Sequence, residues 1–323
     1  MFQPFVHNID PIIFSIGGIH IWWYGLGFTL GFINTYFILK RNRQKLGLSL
    51  KSVYELTLFF ALGVLVGGRA LVVVNNEWEF YREQWWLIPA IWIGGFATHG
   101  LIFGGAAGVG LFCWKNKTPF RPVLDVLAIS ACFILGCGRI GNFIDGQIHG
   151  SLTDVFWAVK FPAVEGFRHP VVLYDGLKNF LLIPLLLWVR KRGVPDGRIA
   201  ALFVFLYAAL RIPIDILREY PISMWGLPTG QTLNFLKLSV GIITLTINYL
   251  RNRNRSPENP PKDIKDIGET DTGWRKWAFF VLLIPPLVIP SDATRDIPVR
   301  YGNRHQGLVH SVIYPPIADK VNQ

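Results

Sequence analysis

The run Gly138-Arg139-Ile140-Gly141-Asn142-Phe143-Ile144-Asp145-Gly146-Gln147-Ile148-His149-Gly150 gathers polar chemistry at the end of a long apolar stretch, Phe120 to Cys137. Arg139 and Asn142 stand three residues apart among glycines. An arginine at mid-membrane costs about 2.5–3.5 kcal/mol on insertion scales, so an anionic partner is expected. In a membrane the commonest anion is a lipid phosphate, and glycines let the backbone approach a head group closely. If the helix continues through the run, Arg139 and Asn142 share a face. If it has ended, the loop N–H groups also face an anion. Asp145, Gln147 and His149 then alternate, as in an extended or looped head.

A second set lies further along. Tyr207, Arg211, Asp215 and Arg218 are spaced four, four and three apart, which places them on one helical stripe. An Arg–Asp pair joining two helices is the plain reading. Two arginines and one carboxylate nevertheless leave net positive charge, and the planar guanidinium suits phosphate. His99, in Gly94-Gly95-Phe96-Ala97-Thr98-His99-Gly100, is a histidine well inside an apolar span. A buried, hydrogen-bonded histidine is the usual alternative, but an ionisable group at that depth is a functional candidate, and histidine moves protons near neutral pH. Tyr24, in Trp22-Trp23-Tyr24-Gly25-Leu26-Gly27, reads alone as an interfacial anchor. Arg168-His169-Pro170-Val171-Val172-Leu173-Tyr174-Asp175 adds a further basic, histidine-bearing edge. Together, Arg139, Arg211, Arg218 and His99 describe a phospholipid head-group site, provided their spans converge.

The elements that must position these groups are membrane helices. Hydrophobic residues make up 51% of the chain and charged ones 16%, and the apolar residues fall in long blocks, which indicates an all-α polytopic membrane protein. Seven spans are expected at about 17–39, 53–75, 87–113, 120–137, 170–189, 199–217 and 231–250, with an outward-facing head between the fourth and fifth. The glycine-rich third is either a broken helix or a re-entrant piece followed by a helix; irregular backbone there must be buried in protein or line a cavity. Basic residues cluster after spans one (Lys40, Arg41, Arg43, Lys45, Lys51), three (Lys115, Lys117, Arg121), five (Arg190, Lys191, Arg192, Arg198) and seven (Arg251, Arg253, Arg255). The positive-inside rule makes that side cytoplasmic and the N-terminus external. Topology accounts for the net charge of +11, so nucleic-acid binding is not inferred. No cleavable signal peptide is expected. Cys113, Cys132 and Cys137 have no ligand spacing, and neither a metal, a disulfide nor a cofactor is expected.

Residues 1–250 thus form the membrane body and 251–276 a polar cytoplasmic linker. The extension 277–323 opens with an apolar segment, Trp277 to Pro290, that is short for a span and contains Pro285-Pro286. It is either an eighth, kinked helix or an interfacial segment. If it crosses, the polar tail from Ser291 lies outside; if not, the tail is cytoplasmic.

The residues quoted above occur in an order that resembles the prolipoprotein diacylglyceryl transferase family of bacterial inner-membrane enzymes. That family's signature, Gly-Arg-x-Gly-Asn-Phe-x-Asn-Gly-Glu-x-x-Gly, is similar to Gly138–Gly150. Its other elements resemble Trp23-Tyr24-Gly25, His99-Gly100, His169-Pro170-Val171-Val172-Leu173-Tyr174, Arg211 with Asp215 and Arg218, and Leu227-Pro228-Thr229-Gly230-Gln231. The resemblance implies transfer of a diacylglyceryl unit from phosphatidylglycerol to the lipobox cysteine of a prolipoprotein, forming a thioether and releasing glycerol phosphate. It implies His99, Arg139, Arg211 and Tyr24 as catalytic groups, and Arg139, Asn142, Gly150, Arg211 and Arg218 around the phosphate. Asp145, Gln147, His169, Tyr174 and Asp215 are implied as support. The nucleophile is the substrate's own thiol; its ordinary pKa of about 8.5 leaves it mostly protonated at neutral pH, so a base such as His99 helps. The chain departs from the pattern at Asp145 (asparagine in the family), Gln147 (glutamate), Asp215 (usually glutamate) and Leu101 (glycine), and in its extension past Arg255. An acid lost at 147 is regained two positions earlier. A phospholipid transporter and a non-catalytic paralogue are the competing readings. The first should show internal repeats, which the chain lacks. The second should have lost the base or the arginines, which the chain retains.

Overall fold

Long apolar blocks punctuated by glycine and by basic turns give long helices with short connections. The structure, a computed structural model, describes residues 5–162, 164–219, 229–252, 272–291 and 296–317. Most of the expected linker and the Leu227-Pro228 pair lie outside the described residues.

The first expected span begins later than 17. Two short strands, β2 (Ile12–Ile16) and β3 (Ile19–Trp22), follow β1 (Phe5–Val6) and form a hairpin around Gly17-Gly18, whose φ angles of 56° and 81° suit only glycine readily. Helix α1 (Trp23–Leu46) then runs past Arg41 and Arg43. Basic residues in its last turn oppose the negative end of the helix dipole, and Gly47 ends it in the left-handed conformation. Helix α2 (Leu50–Leu71) is capped by the Ser49 side chain, which accepts from the Ser52 N–H, and closes in one π turn, Val72–Asn76.

After the short α3 (Trp78–Glu83), the expected third span proves to be irregular backbone followed by a helix. Single 3₁₀ turns at Trp85–Leu87 and Ile91–Ile93 lead through Gly94-Gly95, both at positive φ, into α4 (Thr98–Asn116). Five carbonyls of this stretch accept from one side chain. Arg69, buried on α2, donates to the carbonyls of Leu87 (3.0 Å), Ile88 (2.9 Å), Ala90 (3.1 Å), Gly95 (3.4 Å) and Gly94. Helix α4 then lies tightly along α2. Gly63 and Gly67 face Gly100, Gly104 and Gly108 so closely that a methyl group at Gly104 would collide with the Gly63 carbonyl. This small-residue seam fixes the depth and rotation of α4, and with them the place of His99.

Helix α5 (Phe120–Asp145) continues well beyond Cys137, so the signature's Arg139 and Asn142 are helical. Glycines in a helix interior cost about 1 kcal/mol each relative to alanine. Here the missing side chain at Gly141 lets the backbone of Tyr24 approach; a methyl group there would stand 2.5 Å from the Tyr24 Cα. Gly146, at φ 71°, stops the helix and donates to the Asn142 and Phe143 carbonyls. The expected head follows as an irregular segment carrying β4 (Val159–Lys160), which pairs in parallel with β1. Helices α6 (Val171–Lys191), α7 (Arg198–Ile216) and α8 (Thr229–Asn252) complete the body.

Among the described residues, five helices are long and apolar enough to cross a membrane: α2 with its π turn, α5, α6, α7 and α8. Helices α1 and α4 occupy the other two expected spans, α1 packed along α5 and α4 along α2. The basic connections gather at one end. Arg190 donates to Asn42 at 2.8 Å, Lys115 pairs with Glu55 at 2.8 Å, and Asp125 accepts from the Gly197 and Ala200 N–H groups at 2.7 and 2.8 Å. The hairpin, the irregular 85–97 stretch and the head form the opposite end.

The C-terminal segment consists of α9 (Trp274–Leu282), a 3₁₀ turn at Pro285–Val288 and α10 (Ile297–Tyr301). It lies lengthwise against α1 and α2. Arg275 meets Glu55 (3.4 Å) at the basic end, Phe279 stacks on Tyr36 (5.2 Å between centroids), and Ser291 reaches Asp145 at the head end.

Candidate active site

A cavity of about 550 Å³ opens at the head end, between the N-termini of α1, α4 and α8 and the C-termini of α5 and α7. That volume is in the range of small-ligand sites. Of the residues singled out in the sequence, Tyr24, His99, Arg139, Asn142, Arg211, Asp215 and Arg218 all line it. They come from four helices and the turn after α7, so their convergence is a product of the fold and not of sequence proximity.

The two central arginines are held by one carboxylate. Asp175, fully buried on α6, receives Arg139 Nε on Oδ2 at 2.5 Å, Arg211 Nη1 on the same oxygen, and Lys178 Nζ on Oδ1 at 2.7 Å. Arg139 also donates to Asn142 Oδ1 (2.9 Å) and to Thr98 Oγ1 (3.3 Å), the residue before His99. Arg211 pairs with Asp215 (2.7 Å), which accepts from Asn234 of α8 (2.7 Å). The helices that build the site are therefore tied to one another by charged hydrogen bonds, each worth more than a neutral one in a dry interior.

The expectation that both arginines await an anion is revised on this point, since Asp175 partly neutralises them. Positive charge is still in excess. Three arginines line the cavity, Arg139, Arg211 and Arg218, against one lining carboxylate, Asp215, and the buried Asp175 behind them, which leaves the balance positive. Lys178 and Lys237 flank the Tyr207 ring at 3.9 and 4.4 Å from its centroid, a cation–π arrangement on a ring that itself lines the cavity. His99 sits in the first turn of α4, with its Nε2 buried and without a hydrogen-bond partner among the described residues.

Five expected residues lie elsewhere. Gly150 cannot offer its N–H to a phosphate, because it donates to the His169 carbonyl at 2.9 Å, where the backbone bridges to Arg218. A side chain there would strike Leu217 and His169. His169 Nδ1 meets the Tyr174 hydroxyl at 3.2 Å, and that hydroxyl accepts from Trp157 at 2.6 Å, so this pair secures the head. Asp145 and Gln147 turn toward the C-terminal segment: Asp145 accepts from the Ser291 N–H at 2.9 Å, and Gln147 accepts from Arg300.

The family model described as prolipoprotein diacylglyceryl transferase matches residues 11–247. The chain belongs to that family. The transferase is 34% identical over 245 residues to a phosphatidylglycerol–prolipoprotein diacylglyceryl transferase of Legionella pneumophila (strain Lens), covering 73% of this chain and 95% of that one. It is 35% identical over 245 residues to the protein of the same name from Geobacter sulfurreducens (73% and 94%), and 32% identical over 254 residues to that of Aliivibrio salmonicida (76% and 89%).

Sequence reasoning missed several groups in this transferase. Asp175 and Lys178, one turn apart, and Lys237 are charges within apolar spans, which is the signal that singled out His99. Thr98 and Asn234, neutral and short, carried no such signal.

Proposed function

We propose that the chain transfers the diacylglyceryl group of phosphatidylglycerol to the thiol of a lipobox cysteine in a prolipoprotein. The substrate sulfur forms a bond to the glycerol carbon of the lipid as the carbon–oxygen bond to the phosphate breaks. The oxygen keeps the electron pair and departs as glycerol phosphate, and the thiol proton passes to His99. The observation that carries this reading is the meeting of Arg139, Arg211 and His99 around one cavity with surplus positive charge. A guanidinium has five N–H donors, and the contacts named above use three of those of Arg139, so donors remain for a phosphate. Preorganised donors of this kind stabilise charge that develops on a leaving group. The names of the relatives supply the lipid and the acceptor class.

On this reading the protein lies in the bacterial cytoplasmic membrane with its basic end inside and the cavity mouth and N-terminus outside. Purified protein, phosphatidylglycerol and a lipobox peptide should yield a peptide whose cysteine has gained one diacylglyceryl mass. Absence of that product under conditions where a characterised relative forms it would refute the reading.

A further inference from the structure

The family match stops at residue 247, and the Legionella relative is covered over 95% of its length by 73% of this chain. The segment from Trp274 onward lies beyond the residues that the family model matches. In the structure it is a constituent of the site.

Its course can be followed contact by contact. Arg275 is at Glu55, at the basic end. Phe279 is at Tyr36, midway along α1. Thr29 donates to the Leu283 carbonyl at 3.0 Å, and the backbone at Pro286 and Leu287 lies directly against Gly25. Pro285 and Pro286 have no N–H to continue a helix ladder, and the Thr29 hydroxyl takes up a carbonyl freed by that break. The break also lengthens the segment. Nine helical residues at about 1.5 Å each, a 3₁₀ turn at about 2.0 Å per residue and an extended end at about 3.3 Å per residue reach about 30–35 Å, the thickness of a bilayer's hydrocarbon core.

At the far end the segment grips Asp145 and Gln147 of the signature run. The Ser291 N–H donates to Asp145 Oδ2 at 2.9 Å, Arg300 donates to Gln147, and Arg304 donates to the Asp145 carbonyl at 2.7 Å. Tyr301, Leu308 and Tyr314 pack with Ile12 and Trp22 of the hairpin in a core of their own. Ser291 lines the cavity, and its hydroxyl oxygen is buried without a hydrogen-bond partner among the described residues. A hydroxyl both donates and accepts, which matches the oxygens and hydroxyls of a glycerol phosphate head group.

We propose that Trp274–Ser291 is an eighth crossing that completes the active-site wall, and that its Ser291 hydroxyl hydrogen-bonds the lipid head group while Ser291, Arg300 and Arg304 hold the end of α5 in place. The role of Ser291 rests on the transferase reading; the crossing does not.

The two parts are tested on the full chain. For the crossing, single cysteines at Val312, at Phe156 in the head and at Lys45 at the basic end are probed in spheroplasts with a membrane-impermeant maleimide. Val312→Cys should label with Phe156→Cys, and Lys45→Cys only after permeabilisation. Labelling of Val312→Cys only after permeabilisation overturns the crossing. For Ser291, transfer is measured against phosphatidylglycerol concentration in mixed micelles. Ser291→Ala should raise KM for the lipid about 3–10-fold with kcat and the thermal unfolding midpoint nearly unchanged, and Ser291→Thr should restore most of the affinity. A Ser291→Ala protein with wild-type KM overturns the contact. Joint loss of kcat and unfolding midpoint also overturns it, in favour of a purely structural serine. A wild-type chain that transfers nothing overturns the transferase reading and with it the Ser291 contact, while the labelling pattern still decides the crossing.

Discussion

Arg139 of α5 and Arg211 of α7 meet on a single oxygen, Oδ2 of Asp175. Three helices are locked by that contact, because Asp175 belongs to α6. A buried carboxylate in such a position is costly to remove, since the cations it compensates stay behind. Asp175→Asn should lower stability by about 3–5 kcal/mol and depress transfer, read as a fall in the unfolding midpoint in detergent together with kcat/KM. An unchanged midpoint would mean that solvent, and not Asp175, compensates the arginines.

His99 has its Nε2 buried with no protein partner among the described residues, in a cavity shared with both arginines. A general base typically contributes 10²–10⁴-fold. His99→Asn should lower kcat by roughly that range. A base acts on the thiol and not on the lipid phosphate, so the loss should fall on kcat with KM for phosphatidylglycerol nearly unchanged. A His99→Asn protein with wild-type kcat would assign proton transfer to another group.

What could be read from the sequence tracks how each feature is encoded. The membrane class, the long helices and the gathering of His99, Arg139, Arg211 and Arg218 at one end were legible, because apolar blocks and charges within them are strong local signals. The start of α1 at Trp23 was not, since the hairpin before it is as apolar as a span and differs only in the turn at Gly17-Gly18. The continuation of α5 to Asp145 was ambiguous because its glycines are helix-weakening alone and favourable only against Tyr24. The compensating role of Asp175 was hidden for a related reason. Partners from different helices leave no spacing to recognise, and the same holds for Gln147 with Arg300.

Arg69 was missed altogether, although it closes the irregular backbone before α4. Its guanidinium satisfies carbonyls from Leu87 to Gly95 and stacks over Tyr81 at 4.9 Å. Arg69→Met keeps much of the apolar stem and strands several carbonyls, each unsatisfied group costing about 1–3 kcal/mol. The variant should show a lowered unfolding midpoint and new protease cleavage between residues 84 and 97, before any change elsewhere. Resistance equal to wild type would show that the stretch holds without its arginine.

Asp296 fixes the C-terminal tail and gives it a defined acid sensitivity. Its carboxylate caps α10 through the Val299 N–H (3.1 Å) and accepts from the Ile317 N–H (3.1 Å) and from His310 (2.9 Å). Burial alone would push its pKa up, but these hydrogen bonds and the nearby imidazole outweigh it and hold the pKa below the usual carboxylate value. A depressed folded-state pKa contributes stability that is present above the unfolded value, about 3.9, and is lost as pH falls through the folded one. Asp296→Asn should therefore be less stable than wild type from neutral pH down to about pH 5. The margin should shrink as the pH drops below about 4, followed by unfolding midpoints of both proteins across that range. A margin that persists undiminished at pH 3 would place the effect in the shape of the side chain and not in its charge.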